Sequence, residues 1–333
     1  MDKIRKIILI TLIIVSCTVI LFFALTYPDY HRDMSLTKER LITSEILKTP
    51  DGEIEYAVKG EGTPVLLLHG AGGGFDQGLW MSRVFLEDKY KFISVSRYGF
   101  LRSPIPDNAS IKNQAALYSA LLNDLNVTKV IVVAGSAGGA SAIQFANDYP
   151  EKTSALILLF AVSMPEPGGD VEPISSKIIH LIQQSDYSYW IFSEFMQSSI
   201  LNLMGVPEEV FKSFDPEQKQ FAQEMLDVMH PMTKRYKGTM NDAKMLYLEE
   251  ISTENITSPT LIMHSKDDAL VNYAHAINSH DKIKQSKLIL LETGGHAMLT
   301  QLDEVRKNIN EFLNMSGQEI TTGDVKLTNE GSE

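Results

Sequence analysis

The sequence predicts an α/β fold built on a mostly parallel sheet, and three observations carry that expectation. Short apolar runs rich in Val, Ile and Leu recur along the chain, with segments of helical period between most of them. One run, Val130-Ile131-Val132-Val133, sets four β-branched residues in a row, the pattern of a strand buried on both faces. Three such runs end in residues that carry chemistry: Ser136, the pair Asp267-Asp268, and His296. In a doubly wound sheet the carboxyl ends of the parallel strands share one edge, so three distant residues converge there.

From the amino terminus, Lys3, Arg5 and Lys6 precede an uncharged apolar stretch of nineteen residues, Ile7 to Leu25. As a helix it spans roughly 28 Å, close to the hydrocarbon thickness of a bilayer. The basic flank before it, with Asp29, Arg32 and Asp33 after it, favours an amino terminus inside and the body outside. Residues 1–28 are therefore expected to form a transmembrane signal anchor with an extracytoplasmic body. Two alternatives stay open: a cleaved signal peptide, and a bacterial lipoprotein site at Ile14-Val15-Ser16-Cys17, where Cys17 becomes the lipidated first residue.

The body is expected over 29–314, with strands near 41–47, 53–59, 64–69, 91–96, 129–134, 154–160, 259–264 and 286–292. Pro50-Asp51-Gly52 joins the first two as a hairpin. Helices are expected near 77–87, 111–125, 138–149, 272–283 and 299–313. Between about 163 and 250 the strand–helix rhythm breaks into a helical stretch interrupted by prolines and dense in methionine and aromatics. Its Tyr187, Tyr189, Trp190, Phe192, Phe195 and Met196 are candidates for an apolar substrate pocket, or for packing against their own core. The polar, acidic stretch 315–333 reads as a disordered tail.

Chemistry enters at Ala134-Gly135-Ser136-Ala137-Gly138-Gly139. Small residues around the serine permit a turn sharp enough for a strand to pass straight into a helix, which lifts the hydroxyl clear of the sheet edge. This is the nucleophile-elbow pattern with Ala134 in place of the first glycine of Gly-x-Ser-x-Gly. A serine hydroxyl is a poor nucleophile at neutral pH. It needs an imidazole to take its proton, and the imidazole needs a carboxylate to fix its tautomer.

On these motifs the chain resembles the α/β-hydrolase superfamily, over about Leu41 to Asn314. The resemblance implies an eight-stranded, mostly parallel sheet flanked by helices, with 163–250 as a cap over the site. It implies Ser136 as nucleophile, His296 as base and Asp268 as acid, because the acid loop of the family reads His-Gly-x-x-Asp before an apolar pair. Asp267 then faces solvent, and Leu270-Val271 re-enter the core. Some members carry the acid after the preceding strand instead, where Glu166 and Asp170 stand here. The run His69-Gly70-Ala71-Gly72-Gly73-Gly74 matches the family's oxyanion loop. The Ala71 and Ala137 amides are the implied oxyanion donors, each contributing about 3–4 kcal/mol in related enzymes. Gly70, Gly72 and Trp190 are the implied substrate contacts, and His69 braces the loop. Arg97 and Arg102 border the site as substrate contacts or as structural residues.

The function expected is acyl transfer to water on a small-molecule ester, with no cofactor. Carbon–carbon hydrolysis of a dienoate on the same triad, and a non-catalytic membrane-tethered binding module, are the alternatives. His180, His230, His264, His275 and His280 lack metal-ligand spacing, and the single cysteine excludes thiolate zinc sites, so no metal is expected. No Gly-Lys-Ser/Thr ending follows the glycine run, which argues against a nucleotide-binding loop. A net charge of -12 argues against nucleic acid as a partner.

Overall fold

The computed structural model describes residues 2–165 and 174–323. Its chain divides into two compact units between Ile42 and Thr43. The first unit is one helix, α1 (Asp2–Leu41), exposed along its apolar half and long and apolar enough to cross a membrane. The helix runs on past Leu25, where the apolar span ends. Arg32 pairs with Asp29 one turn away at 2.7 Å, and Lys38 and Arg40 sit in the last turn, where they complement the helix dipole.

The second unit is a sheet of eight strands with helices on both faces. Its strands are β1 (Glu45–Thr49), β2 (Gly52–Lys59), β3 (Thr63–Leu68), β4 (Tyr90–Ser96), β5 (Val130–Gly135), β6 (Thr153–Leu159), β7 (Thr260–Ser265) and β8 (Ser286–Leu291). They lie in the order β1-β2-β4-β3-β5-β6-β7-β8. The hairpin at Pro50-Asp51 is present, with Thr49 opposite Gly52, but β1 starts four residues later than the apolar pattern suggests. Leu41 closes α1 instead, so the strand begins only where pairing with β2 begins. β2 runs antiparallel to β4, and all later pairings are parallel.

Alternation along the central strands divides the core in two. Val65 and Leu67 of β3 face one side of the sheet with Val133, Ile157 and Met263. Leu66 and Leu68 face the other with Val132, Leu158 and Ile262. Helices α2 (Phe75–Phe85) and α12 (Leu302–Gly323) cover the first face, through Trp80, Val84, Phe85, Val305 and Ile309. Helices α3 (Ile111–Asp124), α4 (Gly138–Asp148) and α11 (Ala274–Lys282) cover the second, through Tyr118, Ile143, Phe145 and Ala276. Helix α12 continues to Gly323, into the stretch expected to be a tail.

Between β6 and β7 the described chain is helical: α5 (Ile174–Gln183), α6 (Asp186–Phe195), α7 (Gln197–Leu203), α8 (Glu208–Lys212), α9 (Pro216–Asp227) and α10 (Tyr236–Leu248). Two reciprocal, bidentate ion pairs fix this insertion to the body. Arg97, after β4, holds Asp242 of α10 at 2.5 and 2.6 Å. Arg235, just before α10, holds Asp76 of α2 at 2.9 and 2.8 Å. All four side chains are buried. Arg97 is thus structural, and so is Arg102, which pairs with the buried Glu55 at 2.7 Å.

A buried pair is costly to halve, because the remaining charge is left desolvated. In the full chain in detergent, Asp242→Asn is expected to lower unfolding stability by about 3–5 kcal/mol. Replacing both partners, Arg97→Met with Asp242→Leu, should recover most of that loss, as read from urea denaturation.

Candidate active site

The elbow is built at the end of β5. Ser136 has φ +51°, the left-handed region that disfavours a side chain. The surrounding backbone over-determines this turn. The Ser136 amide donates to Leu159 O at 3.2 Å, and its carbonyl accepts from Gly139 at 3.0 Å and Val162 at 2.9 Å. Two glycines there are tightly packed. A Cβ at Gly138 would stand 2.5 Å from Leu68 O, and one at Gly70 would stand 3.0 Å from Ser136 Cβ. Ala134 is fully buried, so the small side chain at that place lies in the packed strand.

The loop after β3 wraps the serine and is held rigidly. His69 Nε2 accepts from the Arg97 amide at 3.0 Å, so Nδ1 carries the proton and donates to Gly70 O at 2.7 Å. Burial and the Arg97 charge hold the His69 pKa well below the usual imidazole value, which keeps this brace neutral. Arg97 also donates to His69 O at 2.9 Å and Gly70 O at 3.1 Å. The Gly70 amide donates to Gln77 Oε1 at 3.0 Å, and the Gly72 amide to Thr239 Oγ1 of α10 at 3.1 Å. Gly72 is therefore committed to the insertion and is absent from the cavity lining, contrary to its implied role as a substrate contact. Among the described residues the Ala71 and Ala137 amides donate to no acceptor.

The other two residues are joined directly. His296 Nδ1 lies 2.8 Å from Asp268 Oδ2. Asp268 Oδ1 accepts from the Leu270 and Val271 amides at 2.9 and 3.0 Å. His264, read as an ordinary core histidine, adds a further donor: its Nε2 lies 3.1 Å from Asp268 Oδ2 and 2.8 Å from Val271 O. Both partners accept, so Nε2 carries a proton. Burial opposes the charge on Asp268, but His296 and the donors from His264 and Val271 hold its carboxyl well below the usual carboxylate range.

Asp267 is half-buried rather than turned wholly to solvent. Its carboxylate receives the Gly295 amide at 2.9 Å and the Gly294 amide at 3.2 Å, and so holds the turn that carries His296. Val271 re-enters the core, whereas Leu270 stays half-exposed and lines the cavity. Glu166 and Asp170 lie outside the described residues.

Ser136 and His296 line one cavity of about 250 Å³, with Gly70 and Ala71 beside them. Trp80, Met81, Phe160, Met204, Met225 and Met229 give it an apolar, deformable wall. Trp190 is not part of that wall. It is buried in α6 between Tyr187, stacked at 6.0 Å, and Phe195, edge-on at 5.7 Å. The aromatic stripe thus packs mainly within the insertion, and Trp80, overlooked in the sequence, is the tryptophan at the cavity. The apolar period of α2 could have signalled Trp80, and the position of His264 four residues before Asp268 could have signalled the second donor to the Asp268 carboxylate.

The family model of the α/β-hydrolase fold matches residues 63–301, which contain Ser136, Asp268, His296 and the glycine-rich loop. The uncharacterised hydrolase YcgS of Bacillus subtilis is 27% identical over 267 residues, 76% of this chain and 91% of that protein. A 2-hydroxy-6-oxo-6-phenylhexa-2,4-dienoate hydrolase of Comamonas testosteroni is 24% identical over 279 residues, 78% of this chain and 91% of that one. Among solved structures, an α/β-hydrolase fold protein from Nakamurella multipartita gives a TM-score of 0.70 at 22% identity, covering 82% of this chain and 99% of that one. A thermophilic esterase from Thermogutta terrifontis gives 0.60 at 22% identity, covering 82% and 98%. The chain belongs to the α/β-hydrolase fold family and is an enzyme of the hydrolase class.

Proposed function

We propose that the protein is a membrane-tethered serine esterase acting on small, uncharged esters. The observation that carries this reading is the left-handed Ser136 sharing a cavity with His296, whose other ring nitrogen is held by Asp268. With its proton on Nδ1, His296 presents Nε2 as the base that deprotonates Ser136. Ser136 attacks the ester carbonyl, and the alcohol leaves with the proton from His296. Water then repeats the sequence on the acyl-enzyme and releases the acid. The Ala71 and Ala137 amides stand ready to receive the developing oxyanion.

Esters are favoured over dienoates by charge. A dienoate carries a carboxylate, and among the described residues lining the cavity none is lysine or arginine. The helix α1 would tether the enzyme through its apolar half, with the basic residues before it on the inner side.

A fluorophosphonate probe is expected to label the wild-type chain and not Ser136→Ala, with kcat on short nitrophenyl esters falling by on the order of 10⁴–10⁶. No labelling of a folded wild-type chain would reject the esterase and leave a binding module. Turnover of a vinylogous diketone but of no ester would favour the carbon–carbon hydrolase.

The two aspartates separate by kinetics. Asp268→Asn is expected to lower kcat by about 10⁴, since it offers His296 the wrong partner, whereas Asp267→Asn should keep kcat within about tenfold and lower stability. Because the folded pKa of Asp268 is depressed, its contribution to stability is complete above the ordinary carboxylate pKa of about 4 and is lost as pH falls through the lower folded value. Acid unfolding of Asp268→Asn should therefore be less steep than that of the wild type below about pH 4.

A further inference from the structure

One buried imidazole beside the proposed triad has no step in the mechanism. His264, near the end of β7, is fully buried, and its Nε2 lies 3.1 Å from Asp268 Oδ2 and 2.8 Å from Val271 O. Its Nδ1 meets no partner among the described residues. A second proton placed there would have no acceptor, so the ring donates from Nε2 as the neutral tautomer. Asp268 Oδ2 therefore receives two imidazole N–H groups, the other from His296 at 2.8 Å, while Oδ1 receives the Leu270 and Val271 amides. These donors fill the roughly four acceptor sites of a carboxylate.

No other titratable side chain bonds to Asp268 or His296 among the described residues. Asp267 is taken up by the Gly294 and Gly295 amides, and Lys266 pairs with Glu292 at the surface. On α11, which packs against β7, His275 accepts from the Ser163 amide at 3.1 Å. His180 of α5 lines the cavity, its ring edge-on to Tyr236 at 5.9 Å. Against His296 itself stands the ring of Phe160, edge-on at 4.8 Å.

The carboxylate of a triad attracts the proton that the histidine gains when it acts as base. Each further donor on that carboxylate disperses its negative charge and weakens the attraction. His264 acts on the same oxygen that His296 uses. Its effect is moderate, because Val271 O takes the nearer share of the same proton. Resting on the esterase reading above, we infer that His264 is a positioning residue for the reaction: by competing for Asp268 Oδ2 it keeps His296 unprotonated, and so competent as a base, at a lower pH than Asp268 alone would allow.

The test is the pH dependence of kcat/KM on a short nitrophenyl ester, whose acid limb reports protonation of the free enzyme's base. It is measured on the full chain in detergent for the wild type, His264→Leu, the shape-matched His264→Phe and His264→Gln, each checked for fold by thermal unfolding. Both apolar variants should move the midpoint of the acid limb to higher pH by on the order of half a unit to one unit. His264→Gln, which keeps an amide N–H donor, should return it towards the wild-type value. Lost packing alone would lower kcat or Tm without moving that midpoint. A midpoint unchanged or lowered in whichever apolar variant folds, or raised as far in His264→Gln, would overturn the inference and leave the esterase standing. If no ester is turned over, the esterase reading fails by itself. The His296 ring is then titrated by nitrogen NMR in histidine-labelled Ser136→Ala, with and without the apolar change at His264. The same upward shift supports the inference, and no shift or a downward one rejects it.

Discussion

The left-handed turn at Ser136 is the constraint around which the site is assembled. A residue with a side chain at φ +51° is held there only if its neighbours leave it no alternative. Here the end of β6, the start of α4 and the loop after β3 all close on it, and the contact distance at Gly138 leaves no room for a methyl group. The same closure that strains the serine brings the Ala71 and Ala137 amides beside it. The strained serine and the two unpaired amides are thus products of one packing problem.

Electrostatics completes the site by saturation. Asp268 receives donors on both oxygens, from two backbone amides and two histidines, which fixes its orientation and keeps it ionised. His69, an otherwise costly buried imidazole, is kept neutral with both ring nitrogens bonded. The described wall of the cavity holds no lysine or arginine.

What the sequence revealed was whatever local chemistry dictates. Four β-branched residues in a row force a buried strand, and small residues around a serine force a sharp turn. The order of Ser136, Asp268 and His296 could therefore be read from the strands that end in them. Contacts between segments far apart in the chain were not legible. That Asp267 caps the Gly294-Gly295 turn, that Trp80 replaces Trp190 at the cavity, and that Arg97 meets Asp242 across 145 residues depend on how the insertion settles on the body. Helix α1 likewise outruns its apolar signal, because ion pairing and end charges extend a helix without any hydrophobic period.

The two reciprocal ion pairs bear on how such enzymes are recombined. The insertion supplies Asp242 to one buried arginine and takes Asp76 for its own, and it supplies Thr239 to the glycine-rich loop and the Gly205 carbonyl to the His296 amide. Exchanging it for a foreign insertion lacking an aspartate and an arginine at these places would strand two charges of opposite sign beneath it. The natural unit of exchange is accordingly larger than the stretch between β6 and β7: it includes the glycine-rich loop and the loop after β4. Diversity in this scaffold is then more readily gained by changing what faces the cavity than by grafting a new roof.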